Sequence, residues 1–359
     1  MTDYRRTLAG RRQRWFGLKP LIKTGLSARP LHPLMRAAAR LVPGIRAGRL
    51  PAPAGLAEVA GTAAGARFVL VDPDRCEIAK EFYWGGGRRP DPADALALDI
   101  VTALARRAAV LLDVGAYTGV FTMAAAAANP GLRAHAFEMV PAVVAGLERN
   151  IARNGIADRV RVHPTGVGAS GARMRVPSGE GGSALPSFYS AHMEFAEGVE
   201  VEFLALDDLL AEVDEHAGAG AAGAEADRGR GSAGGPGSGG DAGSGGDAGS
   251  GGDRDQGAGA PARVVMKIDV EGAEDAVLAH GQALLARHRP DILCEVLHGQ
   301  ADGRTLEHLL APHGYRWYLV RADDIAARER IAPDPVHRDW LFSARTPAAL
   351  EADLGRIIA

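Results

Sequence analysis

The chain predicts an α/β protein built on an open, mostly parallel sheet with an antiparallel edge and helices on both faces. Three observations carry that expectation. Short apolar runs alternate with segments whose apolar residues recur at helical spacing, the pattern of β-α units around a parallel sheet. Two of those runs stop abruptly in carboxylates beside glycine, Asp113-Val-Gly115 and Asp269-Val-Glu271-Gly272. The last two strand signals, Tyr315 to Val320 and Asp339 to Ser343, read as a closing hairpin.

Taken in order, Arg67 to Val71 is a strand closed by Asp72-Pro73-Asp74, and Pro92 to Ala109 carries apolar residues at helical spacing. Val110 to Val114 is a short buried strand, and Gly119 to Ala128 a helix closed by Asn129-Pro130-Gly131. Arg133 to Phe137 is the next strand and ends at Glu138. Pro141 opens a helix that Asn154-Gly155 closes, proline belonging inside a helix start and glycine just past its end. In that reading Asn154 is a left-handed helix-end residue. Val160 to His163 is a third strand. Arg173 to Val176 and Val199 to Leu204 alternate as a hairpin, separated by a glycine-rich loop, and Asp207 caps a short helix. Val264 to Ile268 (strand), Ala273 to His288 (helix), Asp291 to Val296 (strand) and Thr305 to Leu310 (helix) lead into the final hairpin.

Composition bounds the rest. From 217 to 262 the chain is almost wholly Gly, Ala, Ser, Asp and Arg, and Ser-Gly-Gly-Asp-Ala-Gly begins at both Ser238 and Ser244. Such a stretch has too little apolar surface to offset its conformational entropy, which predicts a disordered insert. It lacks the nine-residue period and the large apolar residue per turn that calcium-binding β-helix repeats need. The formal net charge is −3, so no nucleic-acid signature is present overall. The first fifty residues nevertheless hold twelve Lys or Arg against the single acid Asp3. This basic arm, 1–60, is a solvated tail or a docking element for a partner or membrane surface, because Trp15, Phe16, Leu18, Leu21 and Ile22 interleave with its cations. The catalytic-size domain is then 61–350, interrupted by the insert. No transmembrane run and no secretory signal stand out, and two cysteines, Cys76 and Cys294, form neither a metal knuckle nor a disulfide framework. The expected location is the cytoplasm.

The chemistry gathers at strand ends. In Asp113-Val-Gly115-Ala116-Tyr117-Thr118-Gly119 two glycines stand where a backbone turns sharply and approaches a ligand. The middle glycine of the dinucleotide fingerprint is missing, and no Gly-Lys-Ser/Thr makes it a P-loop. Glu138 ends the following strand, where an acid hydrogen-bonds ribose hydroxyls in Rossmann-like folds. Asp269, Glu271 and Glu274 end a third, with Lys267 placed to neutralise a neighbouring carboxylate. Glu271 and Glu274 also precede a helix, where the dipole alone favours acids. Glu295 and His298 end the next strand and form an alternative base pair. His337-Arg338-Asp339 matches a kinase triplet in letters only. No metal is expected, since Asp269 and Glu271 lack an evident set of further oxygen ligands.

Asp-x-Gly-Ala-x-x-Gly, the Phe137-Glu138 strand end, the paired Asn150 and Asn154, and Lys-Ile-Asp-Val-Glu-Gly-Ala-Glu from Lys267 resemble the FkbM family of S-adenosylmethionine-dependent methyltransferases. The resemblance spans about 110 to 296, skips the insert, and departs at Tyr117, where the family usually has Asn. It implies a Rossmann-like class I methyltransferase fold with a seven-stranded sheet, in which Asp113 and Asp269 flank one crevice. It also implies S-adenosyl-L-methionine as cofactor, held by Asp113, Gly115, Ala116, Tyr117, Gly119 and Glu138. The acceptor would be a hydroxyl of a small natural product or saccharide. Asp269, Glu271 and His298 are the candidates for the base or for anchoring that hydroxyl. Two competing readings share these residues: an NAD(P)-dependent oxidoreductase, which the missing glycine disfavours, and a non-catalytic partner protein that keeps the fold.

Overall fold

The computed structural model describes residues 30, 32, 33, 35, 50–178, 197–218, 263–297, 302–356 and 358. Most of the basic arm, the loop after 178, nearly all of the glycine-rich insert and His298 lie outside them.

Thirteen strands and eight α-helices are used below, numbered in chain order. Strands β1 (Glu58–Ala63) and β2 (Ala66–Val71) form a separate antiparallel hairpin. β1 therefore begins inside the stretch that composition assigned to the arm. Helices α1 (Glu77–Trp84) and α2 (Pro92–Ala105) follow, then β3 (Ala108–Val114), α3 (Val120–Ala128), β4 (Arg133–Phe137), α4 (Pro141–Asn154) and β5 (Val160–His163). Short strands β6 (Gly166–Val167), β7 (Arg173–Val176) and β8 (Val199–Leu204) make a small three-stranded sheet in which β7 and β8 pair antiparallel. A 3-10 turn at Leu206–Leu209 runs into a helix over 210–218. The second half contains β9 (Arg263–Ile268), α5 (Glu274–Ala279), α6 (Gln282–His288), β10 (Asp291–Glu295), α7 (Gly303–Leu310), β11 (Arg316–Val320), β12 (Ile325–Arg328), β13 (Asp339–Ser343) and α8 (Pro347–Leu354).

The main sheet has the order β12-β11-β13-β10-β9-β3-β4-β5. β10, β9, β3, β4 and β5 are parallel, whereas β13 pairs antiparallel with β10 and β11, and β11 with β12. This is the Rossmann-like arrangement expected from the sequence, with β12 adding an eighth strand at the antiparallel edge. Chain order reverses between β3 and β9: β4 and β5 build outward on one side, β10 on the other. Val110, Leu111, Leu112, Val114, Val264, Met266 and Ile268 are almost wholly buried, because helices cover both faces. That is why the central strands read as continuous apolar runs rather than as alternation. One face packs on α2, α3 and α4 with the β1–β2 hairpin, the other on α5, α6, α7 and the 206–213 segment.

Several local expectations change. The helix expected over 273–288 is two short helices with Gly281 between them. Asp207 does not cap its own turn: its carboxylate accepts the Ala283 and Leu284 N–H groups (3.1 and 2.9 Å) and caps α6 instead. Asp208 takes the local role, accepting from Ala205 N. The left-handed residue closing α4 is Gly155, not Asn154. Asn154 is still helical, and its side chain accepts from Val69 N–H and donates to Val69 C=O (2.9 and 2.8 Å). Asn150 accepts from Val71 N–H and donates to Thr118 C=O (2.8 and 2.7 Å). The two asparagines, four apart on one helix face, thus fasten β2 to α4.

Candidate active site

The two acidic strand ends are neighbours. Asp113 pairs with Lys267 across β3 and β9, and Asp269 N–H continues the ladder by donating to Val114 C=O at 3.1 Å. The turn after β3 closes tightly because Gly115 and Ala116 both donate to Phe137 C=O at the end of β4. Gly115 and Gly119 have φ of +74° and +83°, the left-handed region that glycine enters without steric cost. A Cβ on Gly115 would lie 1.8 Å from Asp269 C=O, and one on Gly119 would lie 2.4 Å from the Leu147 side chain. The glycines therefore let the turn seat against β9 and α4. Gly119 is the N-terminal cap of α3, whose start lies at the same end of the sheet. Tyr117 is also left-handed, with φ of +52°, a conformation that asparagine tolerates better than an aromatic residue.

Asp113 is fully buried and accepts from Thr122 at both Oγ1 and N–H (2.6 and 3.1 Å). Burial raises its pKa against the opposing pull of Lys267. It braces the turn from below. Glu138, at the end of β4, is almost fully buried and accepts from Tyr117 N–H (3.0 Å) and Val140 N–H (2.9 Å), one at each carboxylate oxygen. Burial raises its pKa against the hydrogen bonds of the Val140, Tyr117 and Met139 N–H groups.

Lys267 joins the two motifs. Its ammonium donates to Gly115 C=O at 2.5 Å, lies 3.4 Å from Asp269 and 3.9 Å from Asp113, and sits 5.4 Å over the Phe121 ring. Burial opposes its charge, yet Asp269, Asp113 and Glu295 outweigh burial and raise its pKa. This is the neutralising role expected of it.

Asp269, Glu271 and Glu295 bring one carboxylate oxygen each within 4.8 Å of one another. Desolvation raises the Asp269 pKa, but Lys267 and a hydrogen bond with Glu295 outweigh it and hold it below the ordinary range. Burial beside Asp269 pushes Glu295 well up. Within this pair Glu295 is the weaker acid. Glu271, left-handed at φ +57°, is lifted to about 7 by burial and then by Asp269. Glu274 folds back so that its carboxylate accepts Gly272 N–H (3.1 Å) and Val270 N–H (3.4 Å), which fixes this loop. Glu295 thus adds a third carboxylate oxygen beside Asp269 and Glu271, where the sequence showed no clear set of further oxygen ligands.

Sequence reasoning missed the far wall. Arg338 and Asp339, just before and at the start of β13, line a cavity of about 30 Å³ with Lys267, Asp269 and Glu295. Arg338 pairs with Glu295 at 3.1 Å and Asp94 at 3.3 Å, and Asp339 is lifted to about 7 by burial. Strand order alone brings them there; no local signal marks them. His298 lies outside the described residues.

No protein-family model and no curated protein matches the chain. Among solved structures, it is similar to the methyltransferase FkbM of Methylobacillus flagellatus KT, with 16% identity and a TM-score of 0.36 over 65% of this chain and 42% of that one. It is also similar to the SAM-dependent methyltransferase of Agrobacterium tumefaciens, with 10% identity and a TM-score of 0.37 over 83% and 73%. The O-methyltransferase of Bacillus cereus in complex with SAH has 11% identity and a TM-score of 0.32 over 70% and 80%. The chain spans less than half of the Methylobacillus protein. No helix among the described residues is long and apolar enough to cross a membrane.

Proposed function

We propose that the chain is an S-adenosylmethionine-dependent methyltransferase that methylates a hydroxyl of a small natural product or saccharide. The observation that carries the reading is the convergence of Asp113, Glu138 and Asp269 at the ends of three adjacent parallel strands, β3, β4 and β9, at the point where strand order reverses. The Glu138 carboxylate, at the end of β4, suits hydrogen bonds to ribose hydroxyls. The backbone from Gly115 to Gly119 and the start of α3 fit the rest of the cofactor, with Asp113 acting through the turn.

When bound, S-adenosylmethionine supplies an electrophilic methyl group on a sulfonium, which an oxygen nucleophile displaces at carbon. The protein's own work is to align that oxygen and take its proton. Glu271, near 7, suits the proton acceptor. Asp269, held ionised by Lys267, suits the anchor for the acceptor hydroxyl.

The test is calorimetric binding of S-adenosylmethionine against NADH, followed by turnover of methyl-labelled cofactor with a panel of hydroxylated metabolites. The first should bind and the second not. Glu138→Gln should weaken S-adenosylmethionine by about 1.5–3 kcal/mol, the range for hydrogen bonds to a charged group. Asp269→Asn should lower turnover by about 10²-fold, the cost of a misplaced nucleophile, while binding changes far less. Tight NADH binding, or a folded Glu138→Gln protein with unchanged affinity, refutes the reading.

A further inference from the structure

A second cluster of chemistry-bearing side chains lies against β4 and β5, apart from the Asp269 carboxylates. His135 is buried in the middle of β4 and His163 is nearly buried at the end of β5. The helix over 210–218 lays Glu212 and His216, four residues apart and so on one helix face, against His135. Glu138 follows His135 by three residues on the same strand, about 10 Å further along at 3.3 Å per residue. The methyl-transfer reading uses none of the three histidines and not Glu212.

The three imidazoles form a directed chain. His135 Nδ1 is 3.1 Å from His163 Nε2, and His135 Nε2 is 3.4 Å from His216 Nδ1. With Nδ1–H donating to His163, the Nε2 lone pair of His135 faces His216 and Glu212. A metal-ligating histidine has this arrangement: the second nitrogen donates to a partner that fixes the tautomer and the ring. The spacing agrees with it. Two nitrogens on one tetrahedral zinc, each about 2.0–2.1 Å from the metal, stand about 3.3–3.4 Å apart. His135, Glu212 and His216 also bring one ligand atom each within 4.8 Å of one another. Arg161 contacts both Glu212 oxygens at 2.7 and 2.8 Å. A carboxylate ligating through one oxygen keeps lone pairs for that guanidinium, which then orients it from outside.

We propose that His135, Glu212 and His216 form a binding site for a divalent transition metal of the zinc class, with His163 positioning His135 and one coordination position left to an exogenous ligand. Two imidazoles and a carboxylate suit zinc and, among its substitutes, cobalt. The metal would tie the 210–218 helix, at the threshold of the glycine-rich insert, to β4.

The test uses the full chain, stripped with chelator and titrated with ZnCl₂ and separately with CoCl₂. One equivalent of cobalt should give the intense visible bands of a four-coordinate site, and zinc should displace it and raise the melting temperature. His216→Ala and Glu212→Gln, both on a partly exposed helix face, should each weaken metal binding at least about 100-fold while leaving the far-UV spectrum unchanged. His163→Ala should weaken it by about 10–100-fold, the usual effect of removing the partner of a ligand. Asp269→Asn should leave it unchanged. Absence of a stoichiometric cobalt spectrum overturns the proposal. So does binding that survives both His216→Ala and Glu212→Gln, or binding that disappears with Asp269→Asn and so belongs to the carboxylates at the strand ends.

Discussion

Replacing Lys267 by Met tests the electrostatic framework of the strand ends directly. Met keeps the length and the apolar stem and removes only the charge and the donors. In the native structure Lys267 is 3% exposed, and its ammonium donates to Gly115 C=O at 2.5 Å and lies 3.9 Å from Asp113, which is itself 0% exposed. Removing it leaves one half-buried carbonyl without this donor, at about 1–3 kcal/mol. It also leaves a buried carboxylate whose remaining hydrogen-bond donors among the described residues are the two of Thr122. Removing one partner of a buried pair costs about 3–5 kcal/mol, and that range already contains the orphaned carbonyl. Asp113 can relieve part of this by taking a proton. Its folded pKa is already raised by burial, and losing Lys267 raises it further. A raised acid contributes stability that is present at low pH and lost as pH rises through its folded value. The destabilisation should therefore be larger at pH 7.5 than at pH 5.5. Urea unfolding at both pH values reads it, and Asp113→Asn in the Lys267→Met background should recover part of the loss at pH 7.5. A cost below about 1 kcal/mol, no pH dependence and strict additivity of the two substitutions would together refute the account.

Three further outcomes follow from the same geometry. Asn154→Ala removes two hydrogen bonds to Val69 and should cost about 1–3 kcal/mol at 0.5–1.5 kcal/mol each; a urea midpoint shift equivalent to less than about 0.5 kcal/mol would remove the clamp role. If Glu271 is the proton acceptor it must be ionised to act, so turnover should rise with pH through about 7. Glu271→Gln should abolish that limb, and an unchanged pH profile in the variant assigns the base elsewhere. Gly115→Ala, with φ of +74° and its Cβ 1.8 Å from Asp269 C=O, should lose about 2–5 kcal/mol from left-handed strain and forced displacement together. It should impair cofactor binding and turnover in parallel; a stable variant with one impaired and the other intact contradicts a shared seat.

The sheet was legible because its central strands are buried on both faces, so Val110–Val114 and Val264–Ile268 carry unbroken apolar runs bounded by turn residues. The carboxylates at their ends were legible for the complementary reason, that charges interrupt such runs only where the strand leaves the core. What stayed hidden depends on packing between distant segments. Gly281 divides the helical stretch because Leu206, from the 3-10 turn, presses against it; a Cβ there would lie 2.8 Å from the Leu206 side chain. Periodicity over 273–288 carries no trace of that contact. The capping of α6 by Asp207 has the same origin. Asn150 and Asn154 were visible as a pair, but their partners lie on β2, so helical position alone suggested a helix-end role. Arg338 and Asp339 reach the crevice only because β13 inserts antiparallel beside β10.

The two motifs separated by more than a hundred residues behave as one mechanical unit, and Lys267 is the reason. Its ammonium holds the carbonyl of the first turn, while its backbone belongs to the strand that delivers Asp269. The missing side chain of Gly115 lets the Asp269 carbonyl close on the same turn from above. Glu138 fixes the other side by accepting Tyr117 N–H, and Asn150 fixes the back by donating to Thr118 C=O. Every residue of the turn from Gly115 to Thr118 is thus bonded outside it, Gly115 to β9, Ala116 and Tyr117 to the end of β4, and Thr118 to α4. A turn held on three sides has little freedom left to lose when a ligand binds, which lowers the ordering cost of association. The acids around it sit on strand ends rather than on long loops, where the sheet fixes their spacing. Alignment of a nucleophile behind a transferable group depends on that kind of fixed spacing, because displacements near 1 Å already cost about 10²-fold in rate. The strand ends meet that requirement through the backbone itself, with Lys267 neutralising the repulsion that would otherwise drive Asp113 and Asp269 apart.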